Sequence, residues 1–115
     1  MKQLKNLIKL GSKVAIYVPS TVETNKQIDS SEYVKKTLEF LSQSFGGATS
    51  TAAMGCWMSQ QHGLIRESVE VCYSYTDTVN LEKNIDAVLN YCESLKKEMK
   101  QEAVSLEVNN ELYFI

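Results

Sequence analysis

Histidine, proline, arginine and tryptophan are nearly absent from this chain, each occurring once in 115 residues. A single histidine, His62, leaves too few ligands for a structural zinc site, which usually takes four cysteine or histidine ligands. Cysteine is scarce as well: Cys56, Cys72 and Cys92 are odd in number and widely spaced, which is typical of a reducing compartment and does not fit a disulfide framework. We therefore expect a cytoplasmic protein without a metal or another cofactor.

Long apolar runs and a strong net charge are also missing. No run approaches the roughly 18 residues of a membrane-spanning helix. The basic N-terminus, MKQLKNLIKL, lacks the hydrophobic core and cleavage site of a signal peptide, so we interpret residues 1–12 as an ordered lead-in. The formal net charge of −2 argues against a general nucleic-acid or membrane-surface binder. The length fits a single domain, 1–115, with its core in 13–115.

The first half of the chain predicts a strand and a helix. Alternating apolar residues favour a strand over 13–19, and a polar loop is expected over 20–28. Asp29 and Glu32 have the spacing of a capping box at a helix start. An apolar stripe at helical spacing follows, and Gly46 supplies the left-handed cap at which the helix should end.

The second half predicts three strands and a helix. A short strand is expected around 56–58, and alternation is clearest over 64–75. The pattern over 80–99 is the clearest amphipathic helix of the chain. A strand from Val104 to Val108 should turn at Asn109-Asn110, since asparagine tolerates positive φ, and a further C-terminal strand can follow.

This order predicts an α+β, ferredoxin-like split βαβ fold, with a four- to five-stranded antiparallel sheet and two helices on one face. The first and third strands of the βαββαβ core should be central. The open face of such a sheet often mediates oligomerisation, and we expect a homodimer. The residues expected on that open face are Tyr17, Glu70, Cys72, Ser74, Ser105 and Glu107.

The stretch FGGATSTAAMGCW, residues 45–57, is the most unusual part of the chain. Small hydroxyl residues and glycine amides can form an anion-holding concavity, with Gly47, Thr49, Ser50 and Thr51 as the donors. The stretch matches neither a phosphate-binding loop nor a dinucleotide fingerprint. The structural alternative is a helix cap followed by a polar connector.

Trp57 and Arg66 strengthen the ligand-binding interpretation, because both should lie on one hairpin turning near His62. Arginine provides a fork of donors for phosphate or carboxylate, and indole provides a flat stacking surface. We predict that the two side chains meet at the rim of one hollow beneath the glycine-threonine segment, with Glu67 orienting the arginine or a ribose hydroxyl. The alternative is a structural Arg–Trp stack.

The sequence contains no recognisable catalytic motif, and no catalytic residue is predicted. Glu67 and Glu102 open two strands that could bring paired carboxylates together for acid–base chemistry, but such residues more often cap strands. His62 lacks a predictable orienting partner, and Cys56 lacks a neighbouring histidine.

Five segments carry a family resemblance: VAIYVPST, FLSQSFGGATS, GCW, GLIRESVEV and QEAVSLEV. Together they resemble a family of short uncharacterised proteins of phages, plasmids and their bacterial hosts, over about residues 14–115. The resemblance implies a compact α+β protein carried by a mobile element. By analogy with small phage proteins that sequester a cyclic nucleotide signal of bacterial immunity, it also implies a counter-defence role.

Three functions remain open on the sequence. The first is a non-enzymatic module that binds, or binds and sequesters, a small anionic or nucleotide-like ligand. The second is an inhibitor-like module that binds a host protein through the sheet face or the glycine-rich loop. The third is a small enzyme that uses Glu67, Glu102 or His62 for proton transfer.

Overall fold

The computed structural model describes residues 1–22, 26–27 and 29–115, without the side chains of 21–22 and 26–27. The long elements are two helices and a five-stranded sheet. Within the predicted loop 20–28, a two-residue ladder pairs Thr21–Val22 with Lys26–Gln27, while residues 23–25 and 28 lie outside the described residues. The bounds are β1 Ser12–Pro19, β2 Thr21–Val22, β3 Lys26–Gln27, α1 Ser31–Phe45, β4 Thr49–Ser59, β5 Gly63–Thr76, α2 Thr78–Glu98, β6 Ser105–Val108 and β7 Glu111–Phe114.

The large sheet has the order β4-β5-β1-β6-β7, and every neighbouring pair is antiparallel. The two helices connect β1 to β4 and β5 to β6, which is the split βαβ arrangement, and β7 adds a fifth strand at the edge. The predicted α+β fold is confirmed, with β1 and β5, the first and third strands of the predicted core, in the interior of the sheet. Asn109 and Asn110, with φ of 52° and 70°, form the predicted tight turn between β6 and β7.

Helix boundaries follow local chemistry. Asp29 accepts a hydrogen bond from the amide of Ser31 at 3.0 Å. The N-cap residue of α1 is Ser30, so Asp29 lies one position before the N-cap, whereas the predicted capping box places it at the N-cap. Gly46 ends α1 with φ of 93°, as predicted. Asp77 caps α2 by accepting from the amide of Asn80 at 2.7 Å.

The core lies between the two helices and one face of the sheet. Apolar side chains from β1, α1, α2 and β6 are buried there because they point to the same layer. Fully buried members include Val14, Ile16, Val18, Leu41, Val88, Cys92 and Leu106.

The prediction of which residues lie on the open face of the sheet is partly wrong. Tyr17 and Glu107 do lie there, and the Tyr17 hydroxyl donates to a Glu107 carboxylate oxygen at 3.2 Å. Cys72, Ser74 and Glu70 instead lie on the helix-covered face, because their partners on β1 are residues of the buried face. Cys72 and Ser74 are small and buried, which lets α1 pack closely on β5.

The two longest strands extend well beyond the rest of the sheet. Beyond the pair of Pro19 with Val69, residues 54–59 and 63–68 pair with each other and with no other strand among the described residues. We call this hairpin, residues 54–68, the arm; six residues of strand give it a length of about 20 Å. The described residues measure 53 × 28 × 21 Å with a radius of gyration of 15.6 Å, against roughly 13 Å for a compact chain of this length.

The first eleven residues lie outside the sheet. They contain one 3-10 turn, Lys2–Leu4, and every side chain among them is exposed. Among the described residues, no helix is both long enough and apolar enough to cross a membrane.

Candidate functional site

The register of the arm decides which sequence-predicted residues lie together. Trp57 is the partner of Ile65, whereas Arg66 is the partner of Cys56. Since directly opposed residues of an antiparallel pair share a face and successive residues alternate, Trp57 and Arg66 point to opposite faces. The prediction that they meet in one hollow is therefore wrong.

The glycine-threonine segment is also placed differently from the prediction. Thr49, Ser50 and Thr51 belong to β4, so the expected connector is a strand, and Ser50 faces away from its two neighbours. Gly47 and Thr49 line a separate hollow of about 500 Å³ beside Tyr73. The carbonyl oxygen of Gly47 accepts from the Ser74 hydroxyl at 2.6 Å.

Thr49 and Trp57 are eight residue steps apart along β4, which is roughly 26 Å. The predicted donors are therefore too far from Trp57 to line the same hollow. Of the seven predicted ligand-binding residues, the structure brings Trp57 and Glu67 together, and it brings Gly47 and Thr49 together elsewhere. Arg66 lies in neither hollow.

Trp57 and Glu67 line a recess of about 460 Å³ together with Gln101, Glu102 and Ala103. Glu67 is the partner of Gly55 and so shares the face of Trp57. The recess lies in the corner where the arm leaves the sheet and the chain passes from α2 to β6. We call it the arm recess.

The loop that closes the arm recess is fixed by its own backbone. Lys100 has φ of 53°, which turns the chain out of α2. The amide of Gln101 then donates to the carbonyl oxygen of Lys96 at 3.0 Å, and its side-chain amide donates to that of Met99 at 3.0 Å. These bonds hold the backbone just before Glu102, and the paired backbone hydrogen bonds between Val104 and Ile115, at 3.2 and 2.9 Å, hold it two residues later. The position of Glu102 therefore follows from the end of α2 and the start of β6.

The arm recess carries negative charge. Its two ionisable side chains are carboxylates, Glu67 and Glu102. The end of α2 beside it combines carbonyl groups of partial negative charge with Lys96 and Lys97 in the last turn, which offset them. An indole face attracts cations through its quadrupole. This combination suits a ligand with a positive charge and a flat ring, whereas the sequence pointed to an anion.

The other catalytic candidates are not brought to the arm recess. His62 lies at the tip of the arm, where its amide and that of Gln61 both donate to the Ser59 hydroxyl at 3.2 Å. Cys56 is exposed on the opposite face from Trp57. Among the described residues, no group of three or more histidine, cysteine or acidic side chains is placed to hold a metal ion.

Two solved structures, both of phage SAM lyase, share this fold. One, in complex with S-methyl-5'-thioadenosine, has a TM-score of 0.66 and 19% identity, covering 97% of this chain and 94% of that chain. The apo form has a TM-score of 0.65 and 21% identity, covering 96% and 93%. No family model and no curated protein matches this chain. At these identities the likeness shows the fold alone, and the phage association and the motif pattern implied by the family resemblance stay predictions.

The sequence placed Glu67 with Trp57 in the predicted ligand site and, as an alternative, with Glu102 in an acid–base pair, but it did not place all three residues together. The alternation of β4 and β5 contained part of the answer, because Glu67 and Trp57 share a face once the register is known. Glu102 lies in a loop whose position depends on the length of α2, and no local pattern reports that.

Proposed function

We propose that this protein binds a positively charged sulfonium nucleoside of the S-adenosylmethionine (SAM) class in the arm recess and cleaves it. One observation carries the proposal: Trp57 shares its recess with the carboxylates of Glu67 and Glu102. The shared fold with phage SAM lyase supports this class of ligand. A phage protein that removes SAM would also fit the counter-defence role implied by the sequence resemblance.

Each side chain has a distinct task in this proposal. The indole of Trp57, 54% exposed in the free chain, stacks on the adenine or lies against the sulfonium. The carboxylates accept hydrogen bonds from the ribose hydroxyls or the α-ammonium group. Trp57 and Glu67 keep the ligand-binding roles expected from the sequence, and Arg66 has none.

The chemistry constrains where the carboxylates act. Release of S-methyl-5'-thioadenosine from SAM breaks the bond between sulfur and the aminobutyrate arm, and sulfur keeps the electron pair and becomes neutral. A carboxylate held against the sulfur would therefore stabilise the substrate more than the transition state. The carbon that loses sulfur gains a new bond in the same step, either to an oxygen of the substrate's own carboxylate, which closes a lactone and releases no proton, or to the neighbouring carbon as a double bond, which releases a proton from that carbon. Glu67 and Glu102 assist the first route by holding the ammonium group, and one of them assists the second by accepting that proton.

Mass spectrometry of SAM incubated with the protein tests the proposal. We expect S-methyl-5'-thioadenosine to accumulate, and Glu67→Gln and Glu102→Gln each to lower the rate by about 10²-fold or more. Arg66→Gln, adjacent in sequence but on the opposite face, is the matched control and should keep the wild-type rate. SAM that neither binds nor changes would contradict the proposal.

Sequestration without cleavage is the second candidate, since the sequence favoured a non-enzymatic binder. In that case calorimetry detects binding and the ligand is recovered intact after denaturation. The assay above separates the two functions on one sample.

Self-association remains the proposal for the oligomeric state. Both faces of the arm carry exposed apolar side chains, and the outer edge of β4 has no strand beside it among the described residues. Exposed surfaces and unpaired edges of this kind are usually covered by another chain. We propose that the arm packs on a second copy to form the expected homodimer, through a different surface from the open sheet face on which the sequence-based expectation rested.

A further inference from the structure

An apolar groove lies at the opposite edge of the sheet from the arm, between α2 and the β6–β7 hairpin. Its volume is about 380 Å³. Leu89 and Tyr113 remain 38% and 46% exposed in it. The side chains that line the groove are mainly apolar, and one, Glu82, is a carboxylate. The apolar lining includes Leu81, Ile85, Leu89, Val108 and Tyr113. Apolar surface of this kind gains free energy when a partner covers it.

The N-terminal segment, residues 1–10, also leaves apolar side chains exposed. Its apolar residues Leu4, Leu7 and Ile8 are 54%, 62% and 96% exposed. Their spacing places them on one face of an α-helix, although only a 3-10 turn is formed in the free chain. A segment with this pattern can complete a helix when its apolar face enters a groove.

Charge links the two surfaces. The segment carries Lys2, Lys5 and Lys9 and no acidic residue. The groove is bordered by Glu82, by Asp86 one helical turn later on α2, and by acidic Glu111 at the start of β7, all exposed. A basic amphipathic segment and an acidic-rimmed apolar groove therefore complement each other.

The segment of the same chain leads away from this groove. Leu10 lines the hollow beside Phe45 and Tyr75, over β4 and β5, whereas the groove lies over β6 and β7. A second copy can present its segment without that restriction. We propose that residues 1–10 of one copy bind, as an amphipathic helix, in the α2–β7 groove of another copy.

This contact is heterologous, because one chain gives its segment and the other gives its groove. In an open chain of copies, one end keeps a free segment and the other end keeps a free groove until the arrangement closes into a ring. The contact is separate from the arm, and it does not depend on the ligand that the arm recess binds.

Disulfide cross-linking between two full-length variants tests the proposal. Both carry Cys56→Ala to remove the exposed thiol; one adds Leu7→Cys and the other Leu89→Cys, both at exposed positions. The mixed variants should form a linked pair of chains severalfold faster than Leu7→Cys mixed with Glu39→Cys, a control on the exposed surface of α1. Tyr113→Cys provides a second groove position in case Leu89→Cys does not fold.

Charge and chain origin supply the decisive outcomes. Glu82→Lys in the groove variant, or a rise to about 0.5 M salt, should slow the cross-link severalfold because screening weakens the lysine contacts. A rate no higher than that of the Glu39→Cys pair would overturn the proposal. So would an intrachain link that dominates on dilution of a chain carrying both Leu7→Cys and Leu89→Cys, because the occupant would then be the chain's own segment.

Discussion

Trp57 and Arg66 lie on opposite faces of one β-hairpin, because Trp57 faces Ile65 and Arg66 faces Cys56 across the pair. The indole consequently shares its recess with Glu67 and Glu102. The difference reverses the charge of the expected ligand, since a guanidinium attracts anions and two carboxylates attract cations.

Replacing these two side chains should separate their roles. Trp57→Ala should weaken SAM binding by about fivefold or more, because a stacked aromatic ring contributes roughly 1–3 kcal/mol. Arg66→Ala should leave the affinity within about twofold, since Arg66 lies on the opposite face. Isothermal titration calorimetry measures both, and equal losses in the two variants would contradict the assigned site.

The fold was predictable because its information is local. Alternation marks β1 and β5, a helical stripe marks α2, and paired asparagines mark the last turn. Each pattern reports one element, and the order of the elements restricts the topology to a few arrangements. The split βαβ prediction follows from these patterns without any long-range information.

The site was less predictable because it depends on register and on a loop. A shift of one residue in the pairing of β4 with β5 would have put Arg66 on the face of Trp57, and the sequence does not fix that shift. The same uncertainty placed Cys72 and Ser74 on the wrong face. Glu102 reaches the arm recess only because α2 ends where it does.

The arm predicts a measurable change in mass. Met58 and Leu64 are paired at its end and are 73% and 51% exposed, so a second copy should cover them. Met58→Asp should shift light-scattering mass toward that of one chain, because burying a carboxylate in an apolar contact is costly. Val79→Asp, 78% exposed outside the arm, is the matched control. A wild-type mass equal to one chain at high concentration would argue against self-association.

The glycine pair after α1 predicts two unequal effects. Gly46 has φ of 93°, so Gly46→Ala should cost about 1 kcal/mol in the free energy of unfolding. A Cβ at Gly47 meets no heavy atom within 4 Å and its φ is not positive, so Gly47→Ala should change stability by less than about 0.5 kcal/mol. Urea titration measures the difference. Two equal losses would show that the cap is not the cause.

Two buried thiols predict a loss of stability in base. Burial raises the pKa of Cys72 and of Cys92 from 9.0 to about 11, with a smaller coulombic contribution from a nearby glutamate in each case. The unfolded chain therefore loses these protons at a lower pH than the folded chain. The resulting stability is fully present below about pH 9 and is lost by about pH 11, roughly 3 kcal/mol for each thiol.

Urea titrations at about pH 8 and pH 10.5 test this dependence. Cys92→Ala should be less stable than the wild type at the lower pH, because it leaves a cavity in the core, but it should lose less on going to the higher pH. Cys56→Ala removes an exposed thiol and should retain the wild-type difference. If Cys92→Ala loses as much stability as the wild type between the two pH values, ionisation of this thiol is not what destabilises the fold in base.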